Sequence, residues 1–295
     1  MDRILFRFED PKPKTTIEKP EIHKTFLNKN MPQTAPKGGK TAYLTFDDGP
    51  SEFTPRLLDL LKENGVSATF FISFLNKDTP EKRRLLKREA EEGHSLGVHS
   101  FSHDYYYIYK NEENFLFDFK KMLDIIRDAA GVDPKISRFP GGTSNIVSIV
   151  ASCGNIIMPR LAGDVESMGF SYFDWNAGGQ DAQCPYYPTD GQRTGSQYII
   201  CPYPTAGQVI HDVLAQVKGQ ENLVVLLHDV YEFTVDAVPE LIRALRGQGY
   251  AFKVLTPDSP KIRHAFATKE NILPNLKLSL RVCEFFVQLL ESSGK

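Results

Sequence analysis

The sequence predicts an α/β fold: a distorted (β/α) barrel of about seven parallel strands, forming a single catalytic domain. Three observations carry this. Short apolar runs of strand length alternate with longer segments of helical period, which implies βα units and a mostly parallel sheet. About seven such units suit a closed or distorted barrel better than an open doubly wound sheet. The acid–base residues fall just past the ends of the apolar runs, where a parallel barrel carries its chemistry.

Each element has a local reason. Ala42 to Phe46 is an apolar run that ends in Asp47-Asp48-Gly49-Pro50. Thr54 to Glu63 follows with Leu57, Leu58, Leu60 and Leu61 on one broad side, the mark of an amphipathic helix. Ala68 to Ile72 is a second strand, Pro80 to Glu92 a charged helix, and Ser95 to His99 a third strand. Glu112 to Ala130 reads as a long helix stopped by Gly131. A strand at Ile136 to Arg138 leads into Pro140-Gly141-Gly142. The alternation resumes with strand Ser171 to Phe173, helix Gly207 to Lys218, strand Leu223 to Leu227, helix Val235 to Gln248 and strand Tyr250 to Leu255.

The 295 residues are 41% hydrophobic and 24% charged, an ordinary globular composition with ample material for a core. The 35 Lys and Arg against 37 Asp and Glu leave a net charge of −2, so neither nucleic acid nor an anionic membrane is expected as a partner. No apolar stretch approaches the ~18 residues of a membrane span. Residues 1–38 are rich in Pro and Lys and read as an arm or linker. The first ten residues carry charges where a signal peptide would be apolar. The protein is therefore expected either to stay in the cytoplasm or to have lost a leader before acting outside the cell or in its envelope. Cys153, Cys184, Cys201 and Cys283 are too few and too scattered for a disulfide scaffold and lack a CxxC spacing.

Taken singly, the polar motifs are ambiguous. Asp47 and Asp48 just past an apolar strand are costly unless a cation neutralises them, yet Asp-Gly-Pro is also an ordinary solvated turn. His99 and His103, four residues apart, can meet one metal or simply face solvent. Two His with an Asp, leaving positions open for water, make a plausible catalytic site for Zn²⁺ or a similar ion. His228 at the end of an apolar strand is either a structural residue or an acid–base group. Arg138 could orient a carboxylate, and the Gly141 N–H could face an oxyanion.

Together and in this order, TFDDGP, HSFSH, RFPGG and LLHD resemble the polysaccharide deacetylase family, the NodB-homology domain of carbohydrate esterase family 4, over about Lys40 to Leu255. The motif form is closest to bacterial members. The family fold, a distorted (β/α) barrel often of seven strands, agrees with the count above. The resemblance implies Asp47 as general base, Asp48, His99 and His103 as metal ligands, Arg138 as the residue that positions the base, and His228 as general acid. Gly141 stands where the family often has Tyr, its N–H helping to bind the oxyanion. Phe173-Asp174-Trp175-Asn176 resembles the fourth motif, and Asp181 then falls where an Asp tunes the acid histidine. Ala182 and Ser67 depart from the pattern, where a second Trp and a basic partner often stand. Pro140, Trp175, Tyr105 and Leu226 are the expected substrate-binding residues. Trp175 either lines the sugar groove or packs beneath the site, and of Tyr105, Tyr106, Tyr107 and Tyr109 one or two line the groove while the rest pack. His94 and His211 read as surface residues, and His23 and His264 fall outside the core with no assigned role.

The expected cofactor is one divalent metal, Zn²⁺ foremost, with Co²⁺, Ni²⁺ or Mn²⁺ as alternatives. The expected activity is removal of N-acetyl groups from amino sugars of a polysaccharide, peptidoglycan foremost, by a monomer. An O-acetyl xylan esterase and a catalytically silent carbohydrate-binding protein are the rivals. The catalytic domain is expected over residues 39–262, with an inserted loop at about 183–205 rich in Pro and Tyr and closed by a Cys184–Cys201 disulfide. A C-terminal extension at 263–295 should hold one helix.

Overall fold

The computed structural model describes residues 39–182 and 204–271, which belong to one compact unit. The N-terminal arm, the 183–203 part of the inserted loop with Cys184 and Cys201, and the expected C-terminal helix lie outside the described residues. Cys153 is disulfide-bonded, and the other three cysteines are not among the described residues.

The strands are β1 (Lys40–Asp47), β2 (Thr69–Ser73), β3 (Ser95–Ser100), β4 (Ile136–Ser137), β5 (Ser171–Tyr172), β6 (Ala177–Gly178), β7 (Asn222–His228) and β8 (Tyr250–Phe252). Seven of them run in the order β5-β4-β3-β2-β1-β7-β6, and β8 pairs with the start of β1. Every pairing is parallel. The expected seven-strand barrel is thus present as a half-barrel, with its ends at β5 and β6. The chain joining these ends is tied down on both sides: Asp174 N–H donates to the Ile262 carbonyl and Asn176 N–H to that of Val224.

Helices α1 (Thr54–Glu63), α2 (Pro80–Glu91), α3 (Tyr105–Ile108), α4 (Glu112–Ala130), α5 (Val147–Ala151), α6 (Met158–Ser167), α7 (Ala206–Gln216) and α8 (Glu232–Gly247) complete the chain order. Their ends follow ordinary capping chemistry. Thr79, Asn111 and Thr205 accept backbone N–H bonds at the starts of α2, α4 and α7, and Gly131 closes α4 in a left-handed conformation. In α1, Leu57, Leu58 and Leu61 are buried, each burial stabilising by roughly 1.5–3 kcal/mol.

The strands are buried on both faces, and their period of two sorts side chains into two layers. Ala42, Leu44 and Phe46, Phe70 and Ile72, Leu96 and Val98, and Leu223, Val225 and Leu227 pack in one large cluster with the helices. The opposite faces, with Tyr43, Phe71, Ile136, Phe173 and Val224, make a small apolar floor inside the barrel. Following the same parity toward the strand C-termini gives Tyr43, Thr45 and Asp47 on β1, and Val224, Leu226 and His228 on β7. Gly97 and His99 on β3, and Ile136 and Arg138 at β4, continue it. Each interior column starts apolar and ends polar. Four of the expected site residues therefore meet at the C-terminal ends of neighbouring strands.

Four elements were not read from the sequence: α3, α5, α6 and β6. The strands β4, β5 and β6 are two residues long, too short for alternation to register. The last strand is shorter than expected, stopping at Phe252, after which Leu255 N–H turns to the Thr69 hydroxyl. The segment around 262–267 is bonded to the barrel through Ile262, Arg263 and His264, so the folded unit runs past residue 262.

Candidate active site

Parallel register sets the first relation in the site. Asp47 is the register partner of His228 across β1 and β7. Asp48 follows the strand with φ +71, a left-handed conformation that turns its carboxylate toward β3. There, Asp48 Oδ1 lies 3.4 Å from His99 Nε2 and 3.1 Å from His103 Nε2. One ligand atom from each of these three residues falls within 4.8 Å of the others. The His99 ring is fixed by a 2.7 Å contact of Nδ1 with the Arg138 carbonyl, which assigns the proton to Nδ1 and leaves Nε2 as a lone-pair donor. Asp48 Oδ1 is buried with no hydrogen-bond partner of its own. A buried carboxylate oxygen aimed between two imidazole nitrogens is expensive without a cation. The set of one carboxylate and two imidazoles fits a divalent ion of the Zn²⁺ class with positions left open. Burial opposes ionisation of Asp48, but its contact with His99 and the charges of His103 and His228 hold the carboxyl well below the usual range.

On one side of this triad stands a buried ion pair. Arg138 is 1% exposed and donates to Asp47 Oδ1 at 2.8 Å and to the Thr45 hydroxyl at 2.7 Å. Its remaining donors go to the Phe173 and Asp174 carbonyls, at 3.1 and 3.0 Å. A guanidinium held by four hydrogen bonds on all three nitrogens cannot swing, so Asp47 Oδ1 is fixed, and Oδ2 lies 3.9 Å from His99 Nε2.

On the other side stands the histidine couple. His228 Nδ1 contacts Asp181 Oδ1 at 2.8 Å, and the His228 backbone N–H donates to Asp181 Oδ2 at 2.7 Å. Nε2 then points inward, 4.0 Å from Asp48 Oδ2. Burial pulls the imidazole down, but the Asp181 carboxylate outweighs it and lifts the pKa to about 9. The departures at Ser67 and Ala182 leave Asp181 in place because Thr234, at the start of α8, donates its hydroxyl to Asp181 Oδ2 at 2.8 Å. No sequence reading had singled out Thr234.

Known proteins resemble this chain in sequence and in fold. A family model described as "Polysaccharide deacetylase" matches residues 34–154. A peptidoglycan-N-acetylglucosamine deacetylase of Bacillus cereus is 33% identical over 245 residues, covering 82% of this chain and 78% of the relative. The chain belongs to the polysaccharide deacetylase family. It is a hydrolytic deacetylase. The crystal structure of the catalytic domain of peptidoglycan N-acetylglucosamine deacetylase from Eubacterium rectale superposes with a TM-score of 0.68 at 37% identity, covering 81% of this chain and 98% of that one. A polysaccharide deacetylase from Bacillus cereus superposes at 0.59 with 31% identity, over 79% of this chain and 98% of that one.

Around the deacetylase core, the remaining expected residues separate by burial. Pro140 is buried, and its carbonyl accepts from the Tyr109 hydroxyl at 2.8 Å and from Asn145. Tyr109 is fully buried, Tyr106 and Tyr107 are exposed, and Tyr105 is half-buried beside His103, ring centroids 5.2 Å apart. Leu226 is half-buried next to Gly178. Trp175 is half-buried and packs against the interior cluster, its ring edge toward Gly142 and Arg138 5.7 Å from its centroid.

Two histidine readings need correction. His94 is not a solvated surface residue: Nδ1 accepts from Ala68 N–H, the ring sits edge-on to Phe70, and burial lowers its pKa to about 4. His264 does have a place. Its ring contacts the Trp175 carbonyl at 2.7 Å and stacks edge-on against Trp175, and its N–H donates to Asp174 Oδ2.

Two further residues escaped the sequence reading. Asp118 projects from α4 into the loop that joins the two histidines. It accepts from the Ser100 hydroxyl at 2.6 Å, Phe101 N–H at 2.7 Å and Ser102 N–H at 2.9 Å. Ser100 Oγ in turn accepts from His103 N–H at 2.8 Å. Asp229, next to the acid histidine, is buried against the turn that carries Asp48. A Cβ on Gly49 would lie 2.1 Å from Asp229 Oδ1, so only glycine fits there. Asp229 Oδ2 also accepts from Thr54, and burial raises the carboxyl to about 7. For Asp118 the available signal was a lone Asp on the apolar face of a predicted helix, which costs energy unless it is bonded.

Proposed function

We propose that this chain removes N-acetyl groups from N-acetylglucosamine residues of peptidoglycan, using a single divalent ion held by Asp48, His99 and His103. The observation that carries the reading is that two oriented acid–base couples, Asp47–Arg138 and His228–Asp181, both reach this triad, with Asp47 Oδ2 3.9 Å from His99 Nε2 and His228 Nε2 4.0 Å from Asp48 Oδ2. A bound divalent ion would polarise the scissile carbonyl and acidify the attacking water. Zn²⁺ is the ion we favour for this donor set, with Co²⁺, Ni²⁺ and Mn²⁺ as candidates.

The chain's own groups account for the proton transfers. Asp47, its Oδ1 pinned by Arg138, takes the proton of the attacking water through Oδ2. The Gly141 N–H faces the oxyanion that forms as the carbonyl becomes tetrahedral. His228, kept protonated by Asp181, donates through Nε2 to the departing sugar nitrogen, and acetate leaves. Each transfer contributes roughly 10²–10⁴-fold.

The substrate rests on the relatives, several of which act on peptidoglycan N-acetylglucosamine by name. That substrate supports action at the cell envelope or outside the cell, and the disulfide at Cys153 suits an oxidising compartment. Among the described residues no helix is long and apolar enough to cross a membrane. The test is acetate release from peptidoglycan, from chitooligosaccharide and from acetylated xylan, after EDTA treatment and again after adding Zn²⁺ or Co²⁺. Metal-restored release that is highest on peptidoglycan is expected. Release from xylan alone would replace the amide substrate with an ester.

A further inference from the structure

Gly141 sits at φ +73, and the space its side chain would fill is already taken. A Cβ there would lie 2.9 Å from both Cε1 and the hydroxyl oxygen of Tyr105, and 3.2 Å from Asn145 Cβ. The phenol of Tyr105 thus rests directly on the backbone of Gly141, the residue whose N–H the mechanism proposed above assigns to the oxyanion. The contact is built from several sides. Asp104 caps α3 by accepting from the Tyr106 and Tyr107 N–H groups, which sets the first residue of that helix. The Tyr105 ring is edge-on to His103 and, at 5.9 Å, to Tyr109. Tyr109 and Asn145 hold the Pro140 carbonyl, so both sides of the Tyr105–Gly141 contact are anchored to the same turn.

The Tyr105 hydroxyl is the unmatched group in this arrangement. It makes no hydrogen bond among the described residues, whereas the neighbouring Tyr109 hydroxyl is bonded. Tyr105 remains half-buried at the cavity wall rather than sealed in the core. A phenol with a free O–H at neutral pH is a donor.

We infer that Tyr105 is a substrate-contacting residue whose hydroxyl donates a hydrogen bond to the oxyanion alongside the Gly141 N–H. In this chain the glycine at 141 and the tyrosine at 105 are a complementary pair: absence of a side chain at one admits the ring of the other. The inference rests on the deacetylase mechanism proposed above and adds a second donor to it. Such a donor acts chiefly when charge has developed, so its loss should appear in kcat rather than KM.

The test is Tyr105→Phe, which keeps the ring and removes only the hydroxyl. Two readouts are taken on metal-loaded protein: steady-state kcat and KM for acetate release, and the Kd for acetate, whose carboxylate oxygen probes the same donors. The expected result is a kcat about 10²-fold lower with KM within about threefold, removal of one oxyanion donor being a loss of that order. Acetate should bind several-fold more weakly, while the Co²⁺ affinity and near-UV circular dichroism match wild type. An unchanged kcat overturns the inference, as does a raised KM with kcat retained, which would make the hydroxyl a ground-state contact only. If wild type releases no acetate from any substrate, the functional proposal fails. The acetate Kd then still decides the role of Tyr105, since equal affinity in the two proteins rejects the donor.

Discussion

Replacing Asp118 by Ala should weaken metal binding about 10–100-fold although the residue touches no ligand atom. Its carboxylate gathers the Ser100 hydroxyl and two backbone N–H groups at 2.6–2.9 Å, all within the five-residue segment bounded by His99 and His103. Ser100 passes the constraint on to the His103 N–H, and His103 itself sits at φ +55. A non-glycine residue in that region costs on the order of 1–3 kcal/mol and persists only while its surroundings hold it. Hydrogen bonds to a charged group contribute about 1.5–3 kcal/mol each, so the clamp comfortably exceeds that strain. Without it His103 is free to relax away from Asp48, now 3.1 Å distant, and binding must then restore the geometry. Loss of a group that orients a ligand typically costs 10–100-fold in metal affinity, or about 1.4–2.7 kcal/mol. The assay is competition of Zn²⁺ against a chromophoric chelator, with the Co²⁺ absorption spectrum as a report on ligand geometry. Asp118→Asn keeps the size and one acceptor oxygen, so its loss should be smaller than that of Asp118→Ala. A folded Asp118→Ala protein with wild-type Zn²⁺ affinity and an unchanged Co²⁺ spectrum would refute the reasoning.

Three other outcomes follow from the same contacts. Asp47→Asn and His228→Ala should each fold, judged by circular dichroism, and lose about 10²–10⁴-fold in kcat; near-wild-type turnover in either would remove that residue from the mechanism. A general acid must be protonated, and Asp181 lifts His228 to about 9, so kcat/KM should fall as pH rises through that region. In Asp181→Asn the strongest opposition to burial is removed, only the charges of Asp48 and Asp47 remaining, and the alkaline limb should move to lower pH; an unmoved limb would mean that His228 is not the acid. Glu89 on α2 is fully buried with neither carboxylate oxygen bonded, and burial pushes its pKa well above the usual value. A raised folded-state pKa means its stability contribution is complete below pH ~4 and is lost as pH climbs toward the folded value. Glu89→Gln should therefore raise Tm at pH 7 more than at pH 4; an equal change at both values would contradict this.

Much of the site was legible because it is carried by strand ends. A period of two along β1, β3 and β7 decides which residues of an apolar run reach the barrel interior, and the polar residue that ends each run must then face the cavity. Asp47, His99 and His228 follow from that parity, and Arg138 from the residue after a two-residue strand. Asp48 and His103 lie beyond the strands. Their side chains reach the site only because two left-handed backbone turns, at φ +71 and +55, reverse their direction, and a motif can show the residues but not the turn.

What the sequence determined by itself was the alternation, the handful of acid–base residues at strand ends, and a glycine where a side chain was expected. These are local properties, set by period, propensity and chemistry within a few residues. What only the tertiary structure decided is how distant groups brace them. Thr234 supports Asp181 across 53 positions, Asp118 holds a loop 16–18 residues upstream, and Asp229 fills the space above Gly49. His264 buttresses Trp175 from 89 positions away. No periodicity links such pairs, because their separation reflects the lengths of intervening helices and loops. Their energies come from burial and hydrogen-bond geometry, which exist only once the strands and helices have packed around them.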